Sequence, residues 1–201
     1  MPQDLDLLFN RVPGLGLIAE NGCFIKHPDQ DWICSAEMDK MKIWKESIQK
    51  ILEYYQERLE GSTIEVRNCS IFFNSAKAND QQAAARLAGE CANHLNDACQ
   101  NMNVHAVPCD GGLLIESTEL NKRTAAELIL DDMKNNKRTN YSTPDFLMVA
   151  GDAREDEIIY RWANQLAKDG TVRDVCTVSV SSRNTEAMAT LTQGVTGKFL
   201  T

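Results

Sequence analysis

One stretch of the sequence, residues 146–157, constrains the fold more than any other. It runs Phe-Leu-Met-Val-Ala, stops at Gly151, and then supplies the carboxylates of Asp152 and Asp156, four residues apart. A continuous apolar run of this length is typical of a buried parallel strand. Ligands in open α/β sheets bind at the carboxyl ends of such strands, and carboxylates there suit a magnesium ion, which prefers hard oxygen ligands. The stretch therefore predicts a parallel sheet with a ligand site after this strand.

The length and charge of the chain exclude several classes of protein. The chain has 201 residues and a formal net charge of −8, which allows one substantial core or two smaller ones and argues against nucleic acid or an anionic membrane as a partner. No apolar stretch approaches the ~20 residues needed to cross a bilayer. The polar start Met1-Pro-Gln-Asp4 is unlike a signal peptide. We therefore expect a cytoplasmic protein with no nucleic-acid or membrane partner.

The cysteines bear on the same question. There are seven of them, they form no C-x-x-C pair, and each lies within an apolar pattern. This arrangement favours buried thiols in a reducing cytosol over disulfides or a zinc site. The three histidines are scattered along the chain, so they do not indicate a metal cluster either.

The middle of the chain predicts a compact α+β unit. Two segments show apolar residues at helical spacing, and two short strand candidates follow each of them. The predicted elements are helices at residues 44–59 and 84–102 and strands at residues 63–67, 69–74, 104–108 and 113–116. Their order is αββαββ. Ahead of this unit, Asn21-Gly22 predicts a tight turn followed by a hairpin over residues 23–34.

Beyond this unit, helices and strands alternate. Such alternation is typical of a parallel, doubly wound sheet. The predicted elements are helices at residues 122–134, 155–168 and 185–192 and strands at residues 146–150 and 175–180. The segment Asn135–Thr143 is polar and is predicted to be an exposed linker, and Gly194 and Gly197 follow the last helix.

Three charged residues are candidates for chemistry, and each also has a simpler explanation. Asp152 and Asp156 are suited to binding magnesium beside a phosphate, but Gly-Asp is common at strand–helix junctions. There Asp152 would cap the helix and Asp156 would interact with the helix dipole. Lys122 opens a predicted helix, where its ammonium would either neutralise a phosphate or lie in solvent. The order of Lys122, a strand and then both aspartates is more specific than any one of these residues.

Four motifs occur in a fixed order over nearly the whole chain. They are Gly14–Gly22, Asn121–Ala126, Val149–Glu157, and Thr177–Val180 followed by Asn184-Thr-Glu-Ala. This order resembles the haloacid dehalogenase-like phosphatases, and in detail the trehalose-6-phosphate phosphatase domain. The resemblance implies an α/β fold: a partial Rossmann-like core at residues 1–40 and 117–201, with the αββαββ unit inserted as a cap at residues 41–116. It also implies that Lys122 contacts phosphate and that Asp152 and Asp156 are the acids of a magnesium site.

The nucleophile of that family is missing from its expected place. In the family, the first aspartate of a D-x-D-G-T loop follows a buried strand and becomes phosphorylated. The two D-x-D spacings here begin at Asp4 and Asp29, and neither follows a strand or precedes Gly-Thr. Without a nucleophile no phosphorylated enzyme intermediate can form, and hydrolysis of the phosphate loses the covalent step that replaces one high barrier with two lower ones.

The cap also departs from the family. Related phosphatases carry a His-Tyr-Arg run where this chain has Phe73–Lys77, and Glu-x-Arg-Pro where it has Ile115–Thr118. Asn, Ser and Ala are poor substitutes for the basic groups that hold a phosphosugar. Ala153 also replaces an aspartate that usually follows Asp152. The favoured interpretation is a non-catalytic domain in which the phosphate lysine (Lys122) and the metal aspartates are vestigial and magnesium binds weakly or not at all.

The resemblance extends to the regulatory subunits of the fungal trehalose synthase complex. It implies a regulatory or scaffolding role in trehalose biosynthesis, with the subunits of that complex as partners. One alternative is a magnesium-dependent trehalose-6-phosphate phosphatase, working through an aspartyl-phosphate, whose nucleophile lies in a missing N-terminal segment. A second is a sensor that binds magnesium or phosphate without turnover. Because the family's nucleophile strand lies in the middle of the core sheet, we expect residues 1–201 alone to be poorly stable or to associate unless another segment or a partner completes the sheet.

Overall fold

The computed structural model describes residues 1–135 and 142–193. The chain contains both helices and sheets, as predicted, and divides into two compact units, Met1–Asn121 and Lys122–Thr201. No helix among the described residues is both long and apolar enough to span a membrane. The division into a core at 1–40 and 117–201 and a cap at 41–116 stays a prediction.

The first unit begins with a helix and a small antiparallel sheet. Helix α1 (Pro2–Phe9) precedes strands β1 (Leu17–Ala19), β2 (Phe24–Lys26) and β3 (Trp32–Cys34), which lie in the order β1-β2-β3. A 3₁₀ turn joins β1 to β2. Within it Asn21 and Gly22 have φ values of +56° and +103°, a region that Asn and Gly enter at low cost. The predicted Asn-Gly turn and the hairpin of β2 and β3 are confirmed.

The rest of the first unit is a four-stranded antiparallel sheet with two helices. The elements are α2 (Met38–Gln56), β4 (Thr63–Val66), β5 (Ser70–Asn74), α3 (Gln81–Ala98), β6 (Val104–Cys109) and β7 (Gly112–Ser117). The strands lie in the order β4-β5-β7-β6, and the predicted αββαββ order is confirmed. Each helix buries the apolar face that its periodicity predicts, and the core includes Trp44, Ile48, Leu52, Leu95, Ile71, Phe73, Leu113 and Ile115. Asp80 caps α3 by accepting hydrogen bonds from the amides of Gln82 and Ala83.

The second unit is built around a parallel sheet. Its elements are α4 (Lys122–Asn135), β8 (Phe146–Gly151), α5 (Glu157–Lys168), β9 (Asp174–Ser179) and β10 (Ala189–Thr190). Both strand pairs are parallel, in the order β10-β9-β8. A 3₁₀ turn at Arg154–Asp156 leads from β8 into α5, and α5 buries Tyr160 and Ala163. The predicted parallel sheet is confirmed.

Strand β8 is less buried than its apolar sequence predicts. Within the described residues it has one neighbour, β9, and forms an edge of its sheet. Phe146 and Met148 are 58% and 59% exposed. Parallel strands are normally covered on both faces. In β8 the residues of one face, Phe146, Met148 and Ala150, are exposed, whereas the alternate residues are half-buried, so the expectation of full burial is wrong for β8 because one face is left uncovered by the described residues.

The predicted helix at residues 185–192 is also wrong. This segment is irregular at residues 185–188 and then forms the short strand β10. The hydroxyl of Thr185 accepts the amide of Ala187 at 3.1 Å, and the hydroxyl of Thr177 accepts the amide of Met188 at 2.9 Å. These side-chain acceptors compete with helical hydrogen bonds and direct the chain along β9. Gly194, Gly197 and most of the predicted linker at 135–143 lie outside the described residues.

The cysteines only partly follow the prediction of buried thiols. Cys91 and Cys99 are buried thiols, whereas Cys34 is exposed. Cys23 and Cys69 form a disulfide with a Cα–Cα distance of 6.4 Å and a sequence separation of 46 residues, so the expectation of no disulfide is wrong. The fold brings the two turns that carry these cysteines together, and their spacing in the sequence carries no sign of it.

Candidate functional site

Lys122 and Asp156 meet after the carboxyl end of β8. Lys122 is the first residue of α4, and Asp156 ends the 3₁₀ turn before α5. The Nζ atom of Lys122 lies 2.5 Å from Oδ1 of Asp156, and the side chain of Asp156 is 8% exposed while that of Lys122 is 43% exposed. The other carboxylate oxygen, Oδ2, accepts the amide of Ala153 at 2.9 Å. Both oxygens of Asp156 are therefore bound by groups of this chain.

The glycine at the end of β8 is required by this arrangement. A Cβ atom at Gly151 would lie 2.5 Å from Cγ and 3.0 Å from Cβ of Asp156, which is closer than carbon atoms can approach without displacement. The carbonyl of Gly151 accepts a hydrogen bond from the hydroxyl of Tyr160 at 2.8 Å. Burial, together with the charges of Asp156 and Glu157, raises the pKa of Tyr160 above its ordinary value. The phenol therefore stays protonated and keeps donating this hydrogen bond.

Asp152 is not part of this ion pair. Its side chain is exposed, and within the described residues its carboxylate makes no hydrogen bond. Its backbone carbonyl accepts a hydrogen bond from the guanidinium of Arg183. The simpler explanation of Asp152 as a helix N-cap does not hold, since Asp156 performs the local capping by accepting the amide of Ala153.

The arrangement does not fit a magnesium centre. Asp152 offers one exposed carboxylate to a metal ion. The carboxylate of Asp156 could serve as a second ligand only if its contacts with Lys122 and Ala153 were broken. Across residues 1–135 and 142–193, no group of three or more His, Cys, Asp or Glu side chains is placed to hold a metal ion. Magnesium is usually held by one or two carboxylates together with substrate phosphates, and in this arrangement Asp152 supplies a single carboxylate while Asp156 is engaged elsewhere.

The D-x-D spacings do not lie where a nucleophile would be expected. Asp6 lies in α1, where its carboxylate accepts Nζ of Lys26 and Nε1 of Trp32, each at 2.7 Å. These contacts, with Lys26 the larger cause, lower the pKa of Asp6 below its ordinary value. Asp29 has a φ of +60° in the loop between β2 and β3. Neither position is the end of a parallel strand, where the family places its nucleophile.

The first unit contains a cavity, lined in part by charged side chains, that the sequence alone does not indicate. It has a volume of about 100 Å³, and its lining includes Glu20, Asn21, Arg67 and Glu116. One oxygen of Glu116 accepts Nδ2 of Asn21 at 3.0 Å, and the other lies 3.4 Å from Nε2 of His105. The position of Glu20 directly after β1 is the one local signal that could have drawn attention to it.

Comparison with known proteins decides the family. The trehalose-phosphatase family profile matches residues 2–194. The chain belongs to the trehalose-phosphatase family. It is 36% identical over 201 residues to a putative alpha,alpha-trehalose-phosphate synthase 100 kDa subunit of Schizosaccharomyces pombe, a match that covers 98% of this chain and 21% of that protein. It is 32% identical over 102 residues to a trehalose synthase complex regulatory subunit of Saccharomyces cerevisiae, which covers 51% of this chain and 9% of that protein.

Solved structures support the same family and the predicted fold. The C-terminal domain of the Candida albicans trehalose synthase regulatory protein superposes with a TM-score of 0.82 at 26% identity, covering 96% of this chain and 74% of that one. A haloacid dehalogenase-like hydrolase from Bacillus subtilis superposes with a TM-score of 0.54 at 11% identity, covering 94% of this chain and 78% of that one, and is similar in fold alone. The predicted haloacid dehalogenase-like fold is confirmed. The chain spans about a fifth of the S. pombe relative.

Proposed function

We propose that this member of the trehalose-phosphatase family is a non-catalytic part of a regulatory or scaffolding subunit in trehalose biosynthesis. The observation that carries the proposal is the Lys122–Asp156 ion pair. The lysine that would contact phosphate and the acid that would serve the metal bind each other at 2.5 Å. Asp156 uses its second oxygen to hold the turn before α5. In this proposal the pair stabilises the fold, and magnesium binding would rest on Asp152 alone.

The proposed partners are the synthase and phosphatase subunits of a trehalose synthase complex, and the proposed compartment is the cytoplasm. Support comes from the names of the relatives, one a putative subunit of a trehalose-phosphate synthase and another a regulatory subunit of a trehalose synthase complex. The buried thiols of Cys91 and Cys99 suit a reducing compartment.

A magnesium-dependent trehalose-6-phosphate phosphatase is the second candidate. It is favoured by the position of Lys122 and Asp156 after the carboxyl end of β8, where ligands bind in parallel sheets. In that case an aspartate nucleophile would come from polypeptide outside these residues.

Phosphate release distinguishes the two candidates. The longest expressible polypeptide that contains this chain is incubated with trehalose-6-phosphate and magnesium, and inorganic phosphate is measured. We expect no release above the level of the Asp152→Ala variant. Turnover at an ordinary enzymatic rate, about 1–1,000 s⁻¹, that Asp152→Ala abolishes would reject the non-catalytic proposal and support the phosphatase.

Co-purification tests the scaffolding role. The wild-type chain and the variants Asp152→Ala and Lys122→Ala are each co-expressed with a trehalose-phosphate synthase subunit. Lys168→Ala, at the end of α5, is the matched control for loss of a lysine. We expect all four to retain the synthase. Loss of binding in Asp152→Ala or Lys122→Ala, with circular dichroism unchanged and Lys168→Ala still bound, would instead indicate a sensor of magnesium or phosphate.

A further inference from the structure

A disulfide and a carboxylate join the same two turns of the first unit. Cys23 follows the 3₁₀ turn after β1, and Cys69 precedes β5. Both cysteines are buried, at 0% and 3% exposure. Glu20, in the first turn, accepts Nδ2 of Asn68 and the amide of Cys69, each at 2.7 Å. We call these four residues the clasp.

Contacts that do not involve sulfur hold the same two segments. Nζ of Lys45 donates to the carbonyls of Arg67 and Asn68 at 3.1 and 2.7 Å. The amide and hydroxyl of Ser35 donate to the carbonyl of Cys23 at 2.8 and 3.0 Å. The hydrogen bonds from Asn68 and Cys69 to Glu20 join the two turns directly. Because none of these contacts depends on sulfur, the two thiols would stay near each other after reduction. Their Cα separation of 6.4 Å lies within the distance that a disulfide spans.

The other two buried cysteines, Cys91 and Cys99, are free thiols. Among the described residues, Cys23 and Cys69 are the buried cysteines that lie opposite each other, and Cys69 also lines the cavity of the first unit. Disulfides in a reducing compartment, such as the one proposed above, are usually transient and redox-sensing. The clasp cysteines are therefore the pair that is placed to respond to oxidation.

We infer that Cys23 and Cys69 form a redox-responsive clasp, a thiol pair aligned by Glu20 when reduced and a disulfide when oxidised. In the oxidation, the two thiols lose two protons and two electrons to oxidised glutathione, which is cleaved to two molecules of reduced glutathione as the sulfur–sulfur bond forms. Cys69 and Arg67 line the cavity that Glu20 also lines. Oxidation adds a covalent bond to the hydrogen bonds that hold the turn at residues 67–69, and with it one wall of this cavity. Reduction leaves the hydrogen bonds alone, so the turn opens more often.

Peptide mapping tests whether the bond is reversible. The full chain is equilibrated at graded ratios of reduced to oxidised glutathione, its thiols are trapped by alkylation, and its digest is analysed by mass spectrometry. We expect Cys23 and Cys69 to change together from alkylated to linked, and the Cys34→Ser control to behave as wild type. Absence of the linked peptide at the most oxidising ratio overturns the inference, and so does its persistence at the most reducing ratio.

Hydrogen exchange tests the locking of the cavity wall. In wild type and in Cys34→Ser, we expect the amide of Cys69 to exchange about tenfold more slowly when the protein is oxidised than when it is reduced. In Cys23→Ser, which cannot form the disulfide, the oxidised and reduced samples should exchange at the same rate. Equal rates in oxidised and reduced wild type would overturn the inference.

The alignment by Glu20 has its own test. In Glu20→Gln, formation of the Cys23–Cys69 disulfide should require a ratio of oxidised to reduced glutathione about tenfold higher than in wild type, because the two turns are held less firmly. Glu46→Gln, at an exposed position of α2, is the matched control and should match wild type. An unchanged ratio in Glu20→Gln, with its circular dichroism intact, would show that Glu20 does not align the thiols.

Discussion

One methyl group added at the end of β8 is expected to break the ion pair that holds the turn before α5. In Gly151→Ala, the new Cβ would lie 2.5 Å from Cγ of Asp156, and nearer still to Oδ2. The Asp156 side chain cannot move aside freely, because Lys122 and the amide of Ala153 hold its two oxygens at 2.5 and 2.9 Å. Either the backbone shifts or the carboxylate leaves its partners.

The expected cost follows from these contacts. Overpacking a well-filled site costs about 1–3 kcal/mol, and loss of a hydrogen bond to a charged group costs about 1.5–3 kcal/mol. The ion pair itself adds less, since the Lys122 side chain is 43% exposed and exposed pairs contribute at most about 1 kcal/mol. The carboxylate can relieve the clash by giving up its hydrogen bond, so the two costs are not fully additive. We therefore expect the free energy of unfolding of the second unit to fall by about 2–4 kcal/mol.

Hydrogen exchange by mass spectrometry measures this loss locally. Since each 1.4 kcal/mol is a factor of ten, protection of the amides of β8 and α5 should fall by about 30- to 700-fold. Gly89→Ala is the control for the glycine-to-alanine change itself. Gly89 lies within α3, and a Cβ there would meet no atom within 4 Å, so this variant should be stabilised by about 0.4–1 kcal/mol.

A double-mutant cycle decides whether the clash is the cause. Asp156→Ala alone should also destabilise, because it leaves the amide of Ala153 without its acceptor. Once the carboxylate is gone, adding the Gly151 methyl should cost little more. The two losses should therefore fall short of additivity by about 1–3 kcal/mol. Additive losses, or full protection of β8 in Gly151→Ala, would refute the reasoning.

Three further predictions concern single contacts. Asp80→Ala should destabilise the first unit by about 1 kcal/mol in urea denaturation, because it removes the cap of α3, and no change would contradict the capping role. Tyr160→Phe should cost about 0.5–1.5 kcal/mol by the same measurement, since the carbonyl of Gly151 loses one of its two donors and keeps the amide of Val180. The hydrogen bond from Lys26, and then that from Trp32, lower the pKa of Asp6 from 3.8. The ionised Asp6 therefore contributes to the stability of the folded chain above its unfolded pKa, and this contribution is lost as the pH falls through the lowered pKa of the folded state. Trp32 emission should accordingly change only below a pH of about 4, and a transition that persists in Asp6→Asn would exclude Asp6 as its cause.

Periodicity predicted the elements whose stability rests on one buried face. The apolar stripe from Trp44 along α2 and that of α3 are set by local spacing and meet in one core. The apolar run of β8 likewise predicted a parallel strand. The irregular segment at 185–192 escaped prediction because the hydroxyls of Thr177 and Thr185 replace helical hydrogen bonds, and one of them is distant in sequence.

The sequence predicted which residues belong to the candidate site, but not the contacts that they make. The sequence placed Lys122 and Asp156 on converging elements, but the two roles of Asp156, as partner of the lysine and as acceptor of the Ala153 amide, depend on side-chain geometry after the turn. Glu20 and the Cys23–Cys69 bond were missed, since a pairing across 46 residues is set by topology. Contacts between distant turns lie beyond what local patterns encode.

The exposed edge of β8 links the stability of this unit to concentration. Phe146 and Met148 expose more than half of their surfaces, and within residues 1–135 and 142–193 β9 is the one strand that pairs with β8. A strand that binds this edge of the folded chain, and does not bind the unfolded chain, raises the free energy of unfolding by mass action. The increase is about 2.7 kcal/mol when the concentration of that strand is a hundred times its dissociation constant. The melting temperature of this chain should therefore rise with protein concentration if copies pair at β8, or with the concentration of a partner that supplies the strand.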